Sequence, residues 1–239
     1  MMDERKIDPN KEIRALEEAK VFKRLSHPDA AKTYLGEALW YLQALPYHYD
    51  RFLDLACNEK RQLAMTHCVP LEAEVVGFIM SLHSLMEGVP YGAAVCLDLP
   101  VKDNKPNPKK YGWSDLNEYF KGCTKGHEHN RLQLLIKTRK EEAKEQYDLL
   151  SELANTIKHR HPIRLSLPKH LQGNLHYRMT PKKFGESDLV FKEVIGYESQ
   201  LNAEMNVIDT LESLHDVLTY LYLDIRDELI RLMWSLPER

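Results

Sequence analysis

Residues 207–232 read VIDTLESLHDVLTYLYLDIRDELIRL, and this stretch decides the fold of the chain. Its apolar residues recur every three or four positions: Val207, Leu211, Leu214, Leu218, Leu221, Ile225, Leu229 and Leu232. This spacing places them on one side of an α-helix, which we predict from about Asn202 to Leu236. Such a long apolar seam must be covered by other helices or by a second copy of the chain. It therefore predicts a helical bundle, and it also suggests a homodimer.

The first half of the chain predicts further helices, which prolines separate. Pro28, Pro46, Pro70 and Pro90 recur at similar intervals. Proline is tolerated in the first turn of a helix but breaks a helix interior. The predicted helices are Lys11–Leu25, Asp29–Leu45, Tyr47–Cys68 and Leu71–Glu87, the last extending to about Leu97 if Pro90 only kinks it. This fourth helix has no polar face, which is typical of a central, buried helix.

The second half of the chain predicts a short helix and a long helix, after which the spacing of the apolar residues changes. Ser114 is a predicted N-cap for a short helix, and a long helix follows over Asn130–His159. Apolar and polar residues then alternate, which predicts a β-hairpin-like insertion near 162–195. We therefore predict a mainly α protein, with an antiparallel bundle of about five to seven helices in a single domain over 1–239.

The composition is typical of a soluble globular protein, at 43% hydrophobic and 29% charged residues. The N-terminus has no basic region followed by an apolar one, and the most apolar run, Val75–Met86, is shorter than the ~18 residues that a spanning helix needs. The four cysteines are widely scattered, as expected for free thiols in a reducing compartment. We predict a cytoplasmic protein with no membrane contact. No phosphate loop, G-x-S-x-G or zinc motif is present, so no cofactor or metal is predicted.

A basic strip covers residues 153–185, which contain seven Lys or Arg, four His and no carboxylate. The whole chain has a formal net charge of −3, so the strip at +7 leaves the rest of the chain at −10. An unbalanced cationic segment in an acidic chain indicates that an anion is bound there. The candidate ligand is RNA or a nucleotide, and its backbone would follow the Lys and Arg side chains.

The strongest candidate site lies at the start of this strip, in Asn155-Thr156-Ile157-Lys158-His159-Arg160-His161. We predict that Asn155, Lys158, Arg160 and Arg164 bind phosphate. The imidazole of His159 or His161 is the candidate acid or base if the protein is an enzyme, which the sequence leaves open. Cations at a helix C-terminus also complement the helix dipole and cap free carbonyls, so a purely structural role is the alternative.

A second function class also fits the strip. The segment from Glu198 to Glu228 carries eight acidic residues and Arg226 as its only basic one. The strip would then lie against this acidic helix, in a non-enzymatic interaction or regulatory protein. Under this alternative no nucleic acid binds, and added salt destabilises the fold.

Three smaller clusters are further candidates. His83 and Glu87 are four residues apart and share a face of the most apolar helix, where they form a candidate ligand pocket. Two helices that each carry a carboxylate and a histidine could hold a metal in the bundle core. The only predicted helix that could complement His83 and Glu87 in this way carries Glu212, His215 and Asp216. His127-Glu128-His129 is a third cluster, for which no additional ligand is evident.

The order of the predicted elements along the chain resembles that of a known type of protein. The apolar helix SLHSLMEGVPYGAAVCLDL precedes a loop and a long helix that ends LANTIKHRH. This is similar to uncharacterised bacterial all-helical proteins with an N-x-x-K-H helix end and, more distantly, to the HEPN helical bundles. That resemblance implies a dimeric, metal-independent ribonuclease with an Arg and a His that are separated by four to six residues. Arg61 with His67 and Arg164 with His170 meet this spacing.

Overall fold

The computed structural model describes residues 9–58, 69–99, 111–122, 127–159, 165–166, 190–191 and 206–237. Within these residues there are seven α-helices and a short 3-10 turn, Val21–Arg24. The helices are α1 (Pro9–Glu18), α2 (Pro28–Asn58), α3 (Val69–Cys96), α4 (Trp113–Gly122), α5 (His127–Glu142), α6 (Lys144–His159) and α7 (Val207–Ser235). The prediction of a mainly α, antiparallel bundle of five to seven helices is confirmed.

Pro46 lies inside α2, so the predicted break between two helices at this position is wrong. A proline in a helix interior removes a backbone hydrogen bond and crowds the preceding turn. Leu45, Tyr49 and Phe52 are nevertheless buried around it. Burial of such large side chains stabilises the helix by on the order of 2 kcal/mol each, which is enough to offset the proline.

The first predicted helix is shorter than expected. Lys20 has a φ of 56°, in the left-handed region, and its N–H donates to the carbonyl of Glu17 at 2.9 Å. An L-residue in this conformation cannot continue a right-handed helix. The segment predicted as Lys11–Leu25 is therefore α1, ending at Glu18, followed by the 3-10 turn.

Helix α3 continues past Pro90 to Cys96, as the sequence allowed. It is the one helix in the described part of the chain that is long and apolar enough to cross a membrane, by length and composition only. The expectation that its apolar run is too short is therefore wrong. Core helices of soluble proteins pass the same test, and Phe78, Ile79 and Leu82 of α3 are fully buried. The cytoplasmic location stays a prediction.

Two local features of the second half differ from the sequence prediction. The single long helix over Asn130–His159 is interrupted at Ala143, which separates α5 from α6 although its N–H still donates to the carbonyl of Arg139 at 3.0 Å. Helix α4 begins at Trp113, before the predicted N-cap Ser114. The carboxylate of Asp115 accepts from the N–H of Gly112 at 2.9 Å, which is the reciprocal half of a capping box.

The strand-bearing insertion is described at four residues only. Leu165–Ser166 pairs antiparallel with Val190–Phe191, in the register Leu165 to Phe191 and Ser166 to Val190. Residues 167–189 lie outside the described part of the chain. Two residues on each side do not establish a hairpin, so the insertion near 162–195 is not supported beyond this pairing.

The chain divides into two compact units. Unit 1 comprises residues 1–42, 84–144 and 218–239, and unit 2 comprises residues 43–83 and 145–217. Helices α2, α3 and α7 each contribute residues to both units. The single domain over 1–239 stays a prediction.

The apolar seam of α7 is buried within the chain. Each of its eight residues from Val207 to Leu232 is at most 3% exposed. No second copy is needed to cover it, because the chain's own helices already do so. The seam therefore does not provide the surface for a homodimer, although the homodimer itself stays a prediction.

A buried tyrosine lies at the centre of unit 1. The Tyr34 ring packs edge-on against Tyr91, with the ring centroids 6.2 Å apart, and its hydroxyl lies 3.5 Å from the hydroxyl of Tyr222. A Cβ atom on Gly92 would overlap the Tyr34 ring. Glycine is therefore required at residue 92 so that the ring can lie against the backbone of α3.

We predict that Gly92→Ala destabilises the protein and that Gly36→Ala does not. A methyl group at residue 92 overlaps the buried ring, which costs about 1–3 kcal/mol and outweighs the better helix propensity of alanine. At Gly36 the nearest atom to an added Cβ is Ile13 Cδ1 at 4.0 Å, so only the gain in propensity of up to about 1 kcal/mol applies. Denaturant unfolding of both variants measures the difference. Equal effects at the two glycines would contradict this packing.

We also predict a loss of stability above pH 10 that depends on Tyr34. Burial, and then the neighbouring Tyr222, raise the pKa of Tyr34 well above 10.0. The unfolded chain ionises this phenol from about pH 10, whereas the folded chain does not, so its contribution is complete below pH 10 and decreases above it. Between pH 9 and pH 11 the free energy of unfolding should decrease about 1.4 kcal/mol less in Tyr34→Phe than in the wild type.

Tyr47→Phe is the matched control for this measurement, because Tyr47 is 63% exposed. Its pH dependence should follow that of the wild type. An unchanged slope in Tyr34→Phe would show that Tyr34 ionises in the folded protein.

Candidate anion-binding site

The last turns of α6 present a polar face. Asn155, Lys158 and His159 are exposed, whereas Leu153, Ala154 and Thr156 are buried. Residues at i, i+3 and i+4 are neighbours on a helix surface, so Asn155, Lys158 and His159 lie on one side of α6. The other predicted members of this site, Arg160, His161 and Arg164, lie outside the described residues.

Helix α3 contributes a histidine to the same place. The Nζ of Lys158 lies 3.4 Å from the Nδ1 of His83, and both residues belong to unit 2. An ammonium group can only donate, so the Nδ1 of His83 is the acceptor in this contact. The sequence assigned Lys158 and His83 to two separate candidate sites, and the tertiary structure brings them together.

The predicted buried pair of His83 and Glu87 is wrong. Glu87 is exposed and His83 is half-buried. The helix is not apolar on every side, because Glu87 reaches solvent and Glu74 is half-buried. The two side chains therefore do not form a buried pair, whereas ligand binding by His83 and Glu87 stays a prediction.

The predicted metal-binding chemistry is engaged in other contacts. Glu212 accepts a hydrogen bond from the hydroxyl of Tyr49 at 2.6 Å, and the Nδ1 of His215 lies 3.1 Å from the carboxylate of Asp216. Of the cluster at 127–129, the described side chain is His129, whose Nδ1 lies 3.0 Å from the hydroxyl of Tyr119. Among the side chains that the structure describes, no group of three His, Cys, Asp or Glu residues could hold a metal ion.

A histidine–carboxylate pair that the sequence did not reveal lies in unit 2. The Nδ1 of His48 on α2 is 2.8 Å from the carboxylate of Glu74 on α3, and both side chains are about one-fifth exposed. A Cβ atom on Gly77 would stand 2.5 Å from the His48 ring, so glycine creates the space for the imidazole. The only local signal was this glycine, three residues after Glu74. Residues on different helices show no periodic relation in the sequence.

The acidic residues in the second half of α7 have arginine partners outside the basic strip. Asp224 lies 2.7 Å from Arg139 of α5, and Asp227 lies 2.8 Å from Arg226. Glu228 is 6% exposed and contacts Arg231 at 2.8 Å and Arg131 at 3.3 Å. These carboxylates are therefore neutralised within unit 1 by arginines of α5 and α7.

No protein-family model, curated protein or solved structure matches this chain. The similarity to HEPN helical bundles therefore stays a prediction. Arg61, His67 and the pair Arg164 with His170 lie outside the described residues.

We predict that Glu228→Ala lowers the free energy of unfolding by about 2 kcal/mol, because hydrogen bonds to a buried charged group contribute roughly 1.5–3 kcal/mol. Glu142→Ala is the control, since Glu142 also contacts an arginine, Arg139 at 2.9 Å, but is 56% exposed. An exposed ion pair contributes at most about 1 kcal/mol. Urea unfolding of both variants measures the two values. A loss at Glu142 as large as that at Glu228 would show that burial does not set the strength of this network.

Proposed function

We propose that the exposed end of α6 binds an anionic ligand, RNA or a nucleotide, through its phosphates. The observation that carries this proposal is the contact of 3.4 Å between Lys158 and His83. It joins two nitrogen groups from different helices at an exposed position. The ammonium group of Lys158 and an N–H of the His83 imidazole can both donate hydrogen bonds to a phosphate oxygen once an anion replaces their mutual contact.

The neighbouring groups support an anion at this position. Asn155 and His159 share the face of α6 with Lys158 and add an amide and an imidazole. The chain continues from there into residues that carry no carboxylate as far as Gly185. A phosphate bound at Lys158 would therefore meet further cations along the strip and no carboxylate from it.

The charges of α7 make the alternative less favourable. Internal pairing of the strip requires carboxylates that are available to meet it. Asp224, Asp227 and Glu228 already contact arginines of α5 and α7. Three of the eight acidic residues from Glu198 to Glu228 are therefore engaged by arginines outside the strip, which favours an external anion over pairing of the strip with these three.

Chemistry at the bound phosphate belongs to the same proposal. An imidazole next to a phosphate can take a proton from an attacking hydroxyl group, and a second one can protonate the leaving oxygen. His159 is exposed on the phosphate-binding face, and His161 follows two residues later in the sequence. Metal-independent RNA cleavage, which the HEPN resemblance implies, is the reaction that these residues would support.

Binding to fluorescent single-stranded RNA should be tight at about 50 mM salt and should weaken steeply by about 200 mM, because bound cations are released from the phosphates. The measurement is a salt titration of fluorescence anisotropy in the presence of a chelator, with cleavage followed on a gel. Lys158→Ala should reduce the slope of log K against log salt by about 0.7, the value for one lost phosphate contact on a single strand. His159→Ala should lose any cleavage but retain binding.

Lys137→Ala is the matched control, since Lys137 is an exposed lysine in the middle of α5. It removes the same charge and should leave the slope unchanged. Equal slopes for Lys158→Ala and the wild type would locate the ligand elsewhere. No binding at low salt, together with a melting temperature that decreases as salt is added, would contradict the proposal and support internal pairing.

A further inference from the structure

The two helices that form the candidate anion site carry few cations. Helix α3 contains no Lys or Arg along its whole length. In α6, residues 145–157 contain three carboxylates and neither Lys nor Arg. Among the residues of α3 and α6, Lys158 is therefore the only ammonium or guanidinium group at the site, and His83 and His159 add imidazoles.

Carboxylates precede the site on the surface of α6. Asp148, Glu152, Asn155 and His159 follow one another at intervals of four, three and four residues, which places them along one face of the helix. Asp148 is exposed and Glu152 is half-buried. A nucleic-acid strand that ran from Lys158 towards the start of α6 would therefore bring its next phosphates to carboxylates, which repel them.

The donors at the end of α6 converge on one point. The Nζ of Lys158 and the Nδ1 of His83 are 3.4 Å apart although they belong to different helices. Two nitrogen groups this close together can reach the oxygens of the same phosphate. Asn155 is one turn before Lys158 and adds an amide N–H on the same side. The described part of the site therefore has the donors for one phosphate group.

A terminal phosphate suits such a site better than an internal one. A phosphate monoester carries about −1.5 to −2 charges at pH 7 and has three acceptor oxygens. An internal phosphate of a strand carries a single negative charge and has fewer free oxygens. A terminal phosphate also has a neighbouring phosphate on one side only, so a strand bound by its end need not run along the carboxylates of α6.

We propose that the end of α6 selects a phosphate monoester, carried by a nucleotide or by the end of an RNA strand, over the internal phosphates of RNA. This selection rests on the proposed function, whose ligand it narrows. Lys158 and His83 hold the terminal phosphate, and the absence of other cations on α3 and α6 leaves internal phosphates without comparable contacts on these helices.

Short single-stranded RNAs of one sequence, with a 5′-phosphate, a 3′-phosphate or neither, test this selection with the full chain. Fluorescence anisotropy at about 50 mM salt gives the three dissociation constants. At least one phosphorylated RNA should bind about tenfold more tightly than the RNA with neither, because hydrogen bonds between charged groups are the stronger ones. Lys158→Ala should remove this difference. Lys144→Ala is the matched control, since Lys144 is an exposed lysine at the other end of α6, and it should preserve the difference.

Competition by adenosine monophosphate distinguishes the two sources of the phosphate. The nucleotide should displace the end-phosphorylated RNA, whereas adenosine, which has no phosphate, should not. Equal affinities of the nucleotide and the RNA would identify a free nucleotide as sufficient. A tighter RNA would show that the strand adds contacts of its own to the same terminal phosphate.

Three results would contradict these expectations, and they differ in what they overturn. Equal binding of RNAs with and without a terminal phosphate would overturn the selection and leave the proposed function in place. A preference that persists in Lys158→Ala would place the monoester at another site. No binding of any of the three RNAs or of adenosine monophosphate at low salt would overturn the proposed function itself.

Discussion

Burial of the apolar side of α7 is the constraint on which the rest of the structure depends. A helix of 29 residues cannot keep eight large apolar side chains in water, since each contributes roughly 1.5–3 kcal/mol when it is buried. In each unit, other helices of the chain must therefore cover α7. The same requirement accounts for α2 continuing through Pro46 and for α3 continuing through Pro90. In both helices, burial of the flanking side chains stabilises the helix by more than the lost backbone hydrogen bond costs.

Close helix packing determines where polar side chains are tolerated in the interior. Two glycines of α3, at 77 and 92, leave room for the rings of His48 and Tyr34 from α2. Burial of Glu228 is tolerated because two arginines contact its carboxylate. Burial of Tyr49 is tolerated because its hydroxyl donates a hydrogen bond to Glu212. These groups are explained by packing and by hydrogen bonding, and none of them requires a ligand.

The surface to which we assign a binding role consists of residues that the core does not use. The end of α6 presents Lys158 and His159 to solvent and brings Lys158 to His83 of α3. Burial of the apolar face of α6 leaves these nitrogen groups on its polar face, where an anion is the ligand that we propose for them.

The sequence by itself determined the mainly α class and the position of most helices, because helical periodicity is a local property that each segment carries independently. It also placed Asn155, Lys158 and His159 together at one helix end, whereas their exposure was decided by the structure. Only the tertiary structure decided that Pro46 does not end a helix, that Glu87 reaches solvent, and that His83 meets Lys158 and His48 meets Glu74. Those outcomes depend on side chains from helices far apart in the chain, whose approach is set by packing and leaves no periodic trace in the sequence.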